Sequence, residues 1–235
     1  GVIFTLAGIA GLILFILFEK HQKFPVLNIN LFAKNRIFAF SNYAALINYS
    51  ATFAIGFLLS LYLQYIKGLN PQQAGQILVI QPLLMAIFSP ITGKLSDRMD
   101  PGRIASIGMA LISVGLFIIA FIGFNTSILF ISLILVIFGI GYALFSSPNT
   151  NAIMSSVEKK YYGIASGTVG TMRLVGQMSS MGIAMMIFSL IIGKVEINPS
   201  NYPAFITSLR IAFLVFAVLC FIGIFFSLAR GKQNR

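Results

Sequence analysis

Acidic residues are what this sequence has least of. Its 235 residues include five, Glu19, Asp97, Asp100, Glu158 and Glu196, against sixteen Lys and Arg, and charged residues of both signs together make up 9% of the chain. There is one histidine, His21, and one cysteine, Cys220. A lone cysteine excludes an internal disulfide, and one His with one Cys cannot build a metal site. His21 sits among charges and reads as a solvated surface residue. No cluster of His, Cys and carboxylates falls at a common depth, which removes the usual basis for a membrane-embedded enzyme, and no cofactor is expected. The net charge of +11 does not imply nucleic-acid binding, because the basic residues fall in gaps between apolar runs rather than in a patch.

What is abundant is apolar surface. At 58% hydrophobic content and a mean hydropathy of +0.94 the chain lies far outside the range of soluble domains. It reads as a polytopic membrane protein, and the bilayer leaves such a chain the helix as its natural spanning element. The expected fold is therefore all-α, a bundle of about seven transmembrane helices. Residues 1–18 form an apolar run with no basic segment before it and no small-residue cleavage signal after it, so it is a span and not a signal peptide. The chain opens on Gly1 inside that run, which suggests a piece of a longer protein.

Residues 19–36 come next, with Lys20, His21, Lys23, Lys34 and Arg36 around a short apolar stretch. That is too little to cross a bilayer and enough to lie on one, so the segment is either an interfacial linker or a solvated loop. Six further spans are expected over 37–66, 71–92, 104–123, 127–154, 163–192 and 202–228, giving a bundle over 37–229 and a tail at 230–235. Each is long enough to cross about 30 Å of hydrocarbon at about 1.5 Å per residue. One side collects twelve basic residues, Lys20, Lys23, Lys34, Arg36, Lys94, Arg98, Arg103, Lys159, Lys160, Arg230, Lys232 and Arg235. The other collects Lys67 and Lys194, while Arg173 and Arg210 lie within spans. Cytoplasmic loops carry the basic excess, so the C-terminus is expected in the cytoplasm.

Three stretches stand out. The hairpin Gly93-Lys94-Leu95-Ser96-Asp97-Arg98 continues through Asp100-Pro101-Gly102-Arg103 and packs charge, glycine and proline between two apolar runs. Gly93 would let a neighbouring helix approach, and Asp97 could accept bonds from the free N–H groups of another helix start. The bland alternative is a charged hairpin with no further role. Further on, Pro148 in Ser146-Ser147-Pro148-Asn149-Thr150-Asn151 would free the carbonyl of Leu144, and a polar break is expected there. In 163–192, Gly163, Gly167 and Gly170 are spaced for close helix packing. Ser166, Gly170, Arg173, Gln177 and Ser180 share a helical face. An in-span arginine costs on the order of 2.5 to 3.5 kcal/mol, so Arg173 either faces a polar cavity or snorkels to the interface.

A seven-helix receptor or retinal protein would share this topology. Retinal attachment needs a lysine in the last span, which has none, and Asp97-Arg98 opens a loop rather than ending a third span.

The Gly93-x-Leu95-x-Asp97-Arg98 hairpin, with Arg103 beyond it, resembles the signature loop of the major facilitator superfamily. With Pro25, Leu27, Leu31-Phe32 and Asn35-Arg36 before it, Asn48, the Ser147-Pro148-Asn149 step, Gly163-Ile164-Ala165-Ser166-Gly167 and the in-span Arg173, the order is similar to the C-terminal half of fourteen-helix drug:proton antiporters of the EmrB/QacA type. This resemblance implies one extra helix followed by a six-helix half, a multi-pass protein of the cell membrane, the proton gradient as energy source, and three partners. Those partners are a small lipophilic or cationic substrate, the lipid bilayer and the N-terminal half of the same carrier. It also implies that Asn48, Thr52, Gln81, Asn149, Arg173 and Gln177 line a substrate cavity among Phe and Met side chains. No Asp or Glu falls inside an expected span, so the proton-carrying acid is expected in the other half.

The orientation gives a direct expectation. Cysteines introduced at Asn70 and Asn198 should react with an impermeant thiol reagent applied to intact cells, and one at Asp100 should react only after permeabilisation. Labelling at Asp100 in intact cells would reverse the topology.

Overall fold

In the computed structural model of the chain, the described residues are 29–193 and 197–231, together with Gly8 and Gly11. The expected first span, the linker as far as residue 28 and the tail from 232 lie outside them. Everything described is helix or short connection, and six helical segments are long and apolar enough to cross a membrane.

Helix α1 (Ile29–Lys34) ends the linker. Its Phe32 ring meets Phe38 edge-on at 5.0 Å and Tyr43 at 5.9 Å, so this end of the linker is docked on the bundle. The first span combines α2 (Arg36–Thr52), α3 (Ala54–Leu61) and one π-helical turn, Tyr62–Ile66. The second joins α4 (Pro71–Leu78) to α5 (Ile80–Ser96). Then come α6 (Pro101–Ile119), α7 (Ile128–Ser155), α8 (Tyr162–Ile191) and α9 (Tyr202–Ala229). Local sequence sets the starts. Asn35, Asn70, Asp100 and Ser127 each cap a helix by accepting a backbone N–H, and Pro71 and Pro101 sit where a missing N–H costs nothing.

Helix α7 is the hub. Gly139, Ala143, Ser147 and Asn151 recur every four residues and form the face that receives α5. A Cβ on Gly139 would lie 2.8 Å from the Gln81 carbonyl oxygen, the Ala143 carbonyl accepts from Thr92 Oγ1 (2.7 Å), and a Cβ on Gly93 would lie 3.0 Å from Ser147 Oγ. On its other side α7 meets α6 backbone to backbone. A Cβ on Gly108 would lie 2.6 Å from the Gly141 carbonyl oxygen and 2.7 Å from the Phe145 nitrogen. In a bilayer, where apolar side chains gain nothing by leaving lipid, such close approach supplies the packing that holds spans together.

The expected break at Pro148 is absent: α7 runs unbroken from Ile128 to Ser155, with Pro148 buried inside it. Membrane helices tolerate proline where packing against neighbouring helices holds the turn, and here the buried Pro148 costs one ladder bond without ending the helix. The interruption falls instead at Phe53, between α2 and α3. There the Ala54 N–H leaves the helical ladder for Ser180 Oγ on α8 (3.0 Å).

At the end opposite the hairpin, three donors take consecutive carbonyls after α6. Arg210 Nε donates to Ile122, Tyr62 to Gly123 and Lys67 Nζ to Phe124, at 2.7, 2.6 and 2.6 Å. The in-span Arg210 is thus spent on structure. Burial is uneven among the spans. In the most apolar stretch of each, 61% of residues are buried in Pro101–Ile119, but 22% in Lys159–Ile191 and 6% in Pro71–Ser96, so α5 and α8 stand at the periphery.

The glycine contacts separate two kinds of position. Gly108→Ala should destabilise the bundle by about 1–3 kcal/mol, the usual cost of overpacking, because fixed backbone atoms meet the new methyl. Gly163→Ala, with nothing within 4 Å, should leave thermal stability unchanged or raise it by up to about 1 kcal/mol through helix propensity. Unfolding of the two variants in mild detergent checks the contrast.

Candidate functional site

Besides the carbonyl contacts of Tyr62, Lys67 and Arg210, two polar places stand out among the described residues, one closed and one open. The closed one lies at the hairpin end. Arg230, just past the last residue of α9, turns inward and is 3% exposed. Its Nε donates to the Ser227 carbonyl (2.6 Å), Nη1 to Ser41 Oγ and Asn149 Oδ1 (3.1 Å each), and Nη2 to Ser227 Oγ. Asn149 Nδ2 donates to the Ser41 carbonyl (3.1 Å), and Ser106 Oγ to Ser227 Oγ (2.7 Å). One guanidinium therefore ties together α2, α7 and α9, and Ser106 adds α6 to the network through Ser227. Burial pulls Arg230 down to about 10, with Asp100 opposing, so it stays protonated at neutral pH. Sequence reasoning places Arg230 at the start of the tail over 230–235 and gives it no structural role; the structure buries it among the helix ends. The local signal is Ser227 one turn earlier and Gly231 directly after, whose φ of 84° ends the helix.

Beside this network lies the signature hairpin. Asp97 accepts from Asn151 Nδ2 (3.0 Å), and the same amide donates to Ser96 Oγ (2.8 Å), so the carboxylate is engaged with a side chain of α7. Asp100 accepts from the Gly102 N–H (2.8 Å) and stands 3.9 Å from Arg103 Nε. Leu95, Arg98 and Arg103 are exposed.

The open place is one face of α8. Arg173 is exposed, with its guanidinium 5.2 Å from the Tyr49 ring centre, a cation–π contact. Gln177, one turn on, is half-buried, and Ser166 is exposed. Gly163, Gly167 and Gly170 have no atom within 4 Å of a built Cβ, so among the described residues no helix packs on them. Gly176, three residues past Arg173 and against the same Tyr49, does the packing instead: a Cβ there would lie 2.8 Å from the Leu46 carbonyl oxygen. Ser180, expected on the Arg173 face, is buried and holds Ala54.

The six expected cavity residues thus do not converge on one cavity. Arg173 and Gln177 share the α8 face. Asn149 belongs to the Arg230 network. Thr52 is buried beside Tyr142 and donates to the Asn48 carbonyl (2.7 Å), while Gln81 is half-buried with its backbone against Gly139. Asn48 is fully buried, and neither its Oδ1 nor its Nδ2 has a hydrogen-bond partner among the described residues. Sequence reasoning missed Tyr49 and Tyr142. Each is an aromatic inside a long apolar run, and only the neighbouring helix shows that one meets Arg173 and the other Thr52.

Six membrane-length helices knit by glycine contacts, with a glycine-bearing face left open on α8, define a polytopic helical membrane bundle. The model of the Major Facilitator Superfamily matches residues 1–181, and the chain belongs to that superfamily. It is 29% identical over 219 residues to the riboflavin transporter RibZ of Clostridioides difficile, covering 92% of this chain and 48% of that protein. It is 28% identical over 184 residues to the multidrug transporter protein MdtP of Bacillus subtilis, covering 78% and 33%. With the colistin resistance protein EmrB of Acinetobacter baumannii the identity is 23% over 187 residues, covering 80% and 36%. The matches span about half the length of these relatives or less.

The closed network makes a prediction of its own. Asn149→Leu leaves both the guanidinium and the Ser41 carbonyl short of a partner and should cost about 1–3 kcal/mol. Combined with Arg230→Met, which removes the buried charge, the loss should fall short of the sum of the single variants by about 0.5–3 kcal/mol. Additive losses in a double-mutant cycle would mean that the two residues are energetically independent.

Proposed function

We propose that this chain is the C-terminal half of a proton-coupled exporter of lipophilic or cationic small molecules, working with an N-terminal half that completes the substrate cavity. The observation that carries this reading is the uncovered face of α8. A face with Ser166, Arg173, Gln177 and three unpacked glycines gains nothing from lipid, and a guanidinium turned to hydrocarbon would cost on the order of 2.5 to 3.5 kcal/mol. A watery cavity shared with the other half relieves that cost. The polar positions are bordered by exposed Met178, Met185 and Met186, whose adaptable thioethers suit varied lipophilic ligands. The names of the multidrug and colistin-resistance relatives support export of such compounds.

In this mechanism the acid that carries the proton lies in the N-terminal half, since no Asp or Glu of this chain falls inside a span. Arg173 pairs with that acid, lowers its proton affinity, and releases it when the proton arrives. Asn48 and Thr52 join the cavity wall only as the first span bends at Phe53, and Asn149 and Gln81 hold the wall rather than line it. The carrier sits in the cell membrane with the hairpin and C-terminus in the cytoplasm. Similarity to RibZ supports a second reading, a carrier of one particular solute with the same α8 face as its site.

In the full-length carrier, Arg173→Leu should preserve expression and membrane insertion and abolish uphill transport, while Arg173→Lys, which keeps charge without the planar fork, should retain only part of it. Parental uphill transport by Arg173→Leu would assign this face to structure. The purified 235-residue chain in liposomes should show no proton-driven dye efflux, and efflux by it alone would remove the need for a second half.

A further inference from the structure

Helices α6 and α9 share a seam that opens outward in two places. At the hairpin end is a cavity of about 200 Å³ lined by Asp100, Gly102, Arg103, Ser227 and Arg230, among others. Farther along the same seam is a groove of about 300 Å³ lined by Ser113, Val114, Phe117, Ala217, Val218 and Phe221. Its walls are apolar and stiffened by edge-on ring pairs, Phe117 with Phe121 at 5.4 Å and Phe221 with Phe225 at 5.3 Å. Arg103 and Val114 are separated by about 16 Å of helix rise, a distance that an acyl chain of ordinary length spans.

The two openings differ in character as the two ends of a lipid do. The polar one holds two cations and one carboxylate. The partners of buried Arg230 among the described residues are all neutral, Ser41, Asn149 and Ser227, and one of its Nη2 hydrogens is left over. Asp100 is turned to the Gly102 N–H, and its other oxygen stands 3.9 Å from Arg103. Asp100 lies near enough to act on Arg230 through space but does not bond to it, so an anion seated here would give the buried cation a directly bonded charged partner, and Arg103, exposed at the rim, would close over it. Basic pockets between spans at the headgroup level are where anionic lipids are held.

We propose that the α6–α9 seam binds one anionic glycerophospholipid, its phosphate between Arg103 and Arg230 and an acyl chain in the groove along Val114, Phe117, Val218 and Phe221. The site is separate from the α8 face and would persist whatever the carrier transports. It fastens the end of α9 to the start of α6 at the network that already joins four helices.

The sequence contains no tryptophan, so Phe221→Trp places a single reporter in the groove. In bilayers containing this chain, brominated phosphatidylglycerol should quench it at about a fivefold lower mole fraction than brominated phosphatidylcholine with the same chains. Arg103→Gln should abolish that preference, and Arg98→Gln, on the same hairpin but outside the cavity, should keep it. Equal quenching by the two lipids, or equal loss in both variants, would overturn the proposal. Removal of the preference by millimolar inorganic phosphate would identify a site for free anions and overturn the lipid assignment as well.

Discussion

Hydrocarbon offers no water to a backbone carbonyl or an amide, and this constraint governs the bundle more than any single contact does. Side-chain burial gives spans little reason to associate in lipid, so association rests on close backbone approach and on polar groups satisfied between helices. Both converge on α7. Gly139 and Gly141 admit α5 and α6, Ala143 and Asn151 exchange hydrogen bonds with α5 and the hairpin, and Asn149 carries the link to Arg230. The same rule explains the opposite end, where Arg210, Tyr62 and Lys67 take the carbonyls just beyond α6.

These contacts divide the bundle into a locked part and an open one. Its hairpin end is locked, with polar groups that point inward and are bonded to one another. Helix α8 is finished where Gly176 and Ser180 seat the first span, with Arg173 stacked on Tyr49 at the edge of that seam, and unfinished at Gly163, Gly167 and Gly170, which meet nothing within 4 Å among the described residues. In the proposed carrier the unfinished side is the surface offered to the N-terminal half. The Asn48 amide, without a hydrogen-bond partner among the described residues, and the interruption at Phe53 lie on the span that Ser180 grips. That makes the span the flexible wall of the proposed cavity.

The spans themselves were legible because runs of about twenty apolar residues have no other explanation in a chain with so few charges. The helix start at Pro71 agrees with the expected span 71–92, whereas the start at Pro101 comes three residues before the expected 104, because Asp100 accepts the Gly102 N–H and caps the helix there. What sequence could not settle was which way a polar residue turns. Asn149 and Arg173 are both polar residues inside long apolar helices, yet one is consumed by Ser41 and Arg230 and the other looks outward, because that depends on neighbours distant in the chain. Pro148 misled for a related reason: a proline marks a break by its own chemistry, whereas surrounding helices decide whether the break occurs. Arg230 was hidden by the general rule that terminal cations are solvated.

A substrate-protected cysteine scan of α8 in the full-length carrier addresses the proposed transport surface most directly. Single cysteines would replace Ser166, Gly170, Arg173 and Gln177, with Leu133 on the exposed side of α7 as the control. Reactivity toward a small water-soluble thiol reagent is expected at the four α8 positions, reduced by saturating substrate at Arg173 and Gln177, and absent at Leu133. If the α8 positions are as unreactive as Leu133, or react without any protection by substrate, the open face of α8 is not the wall of a transport cavity.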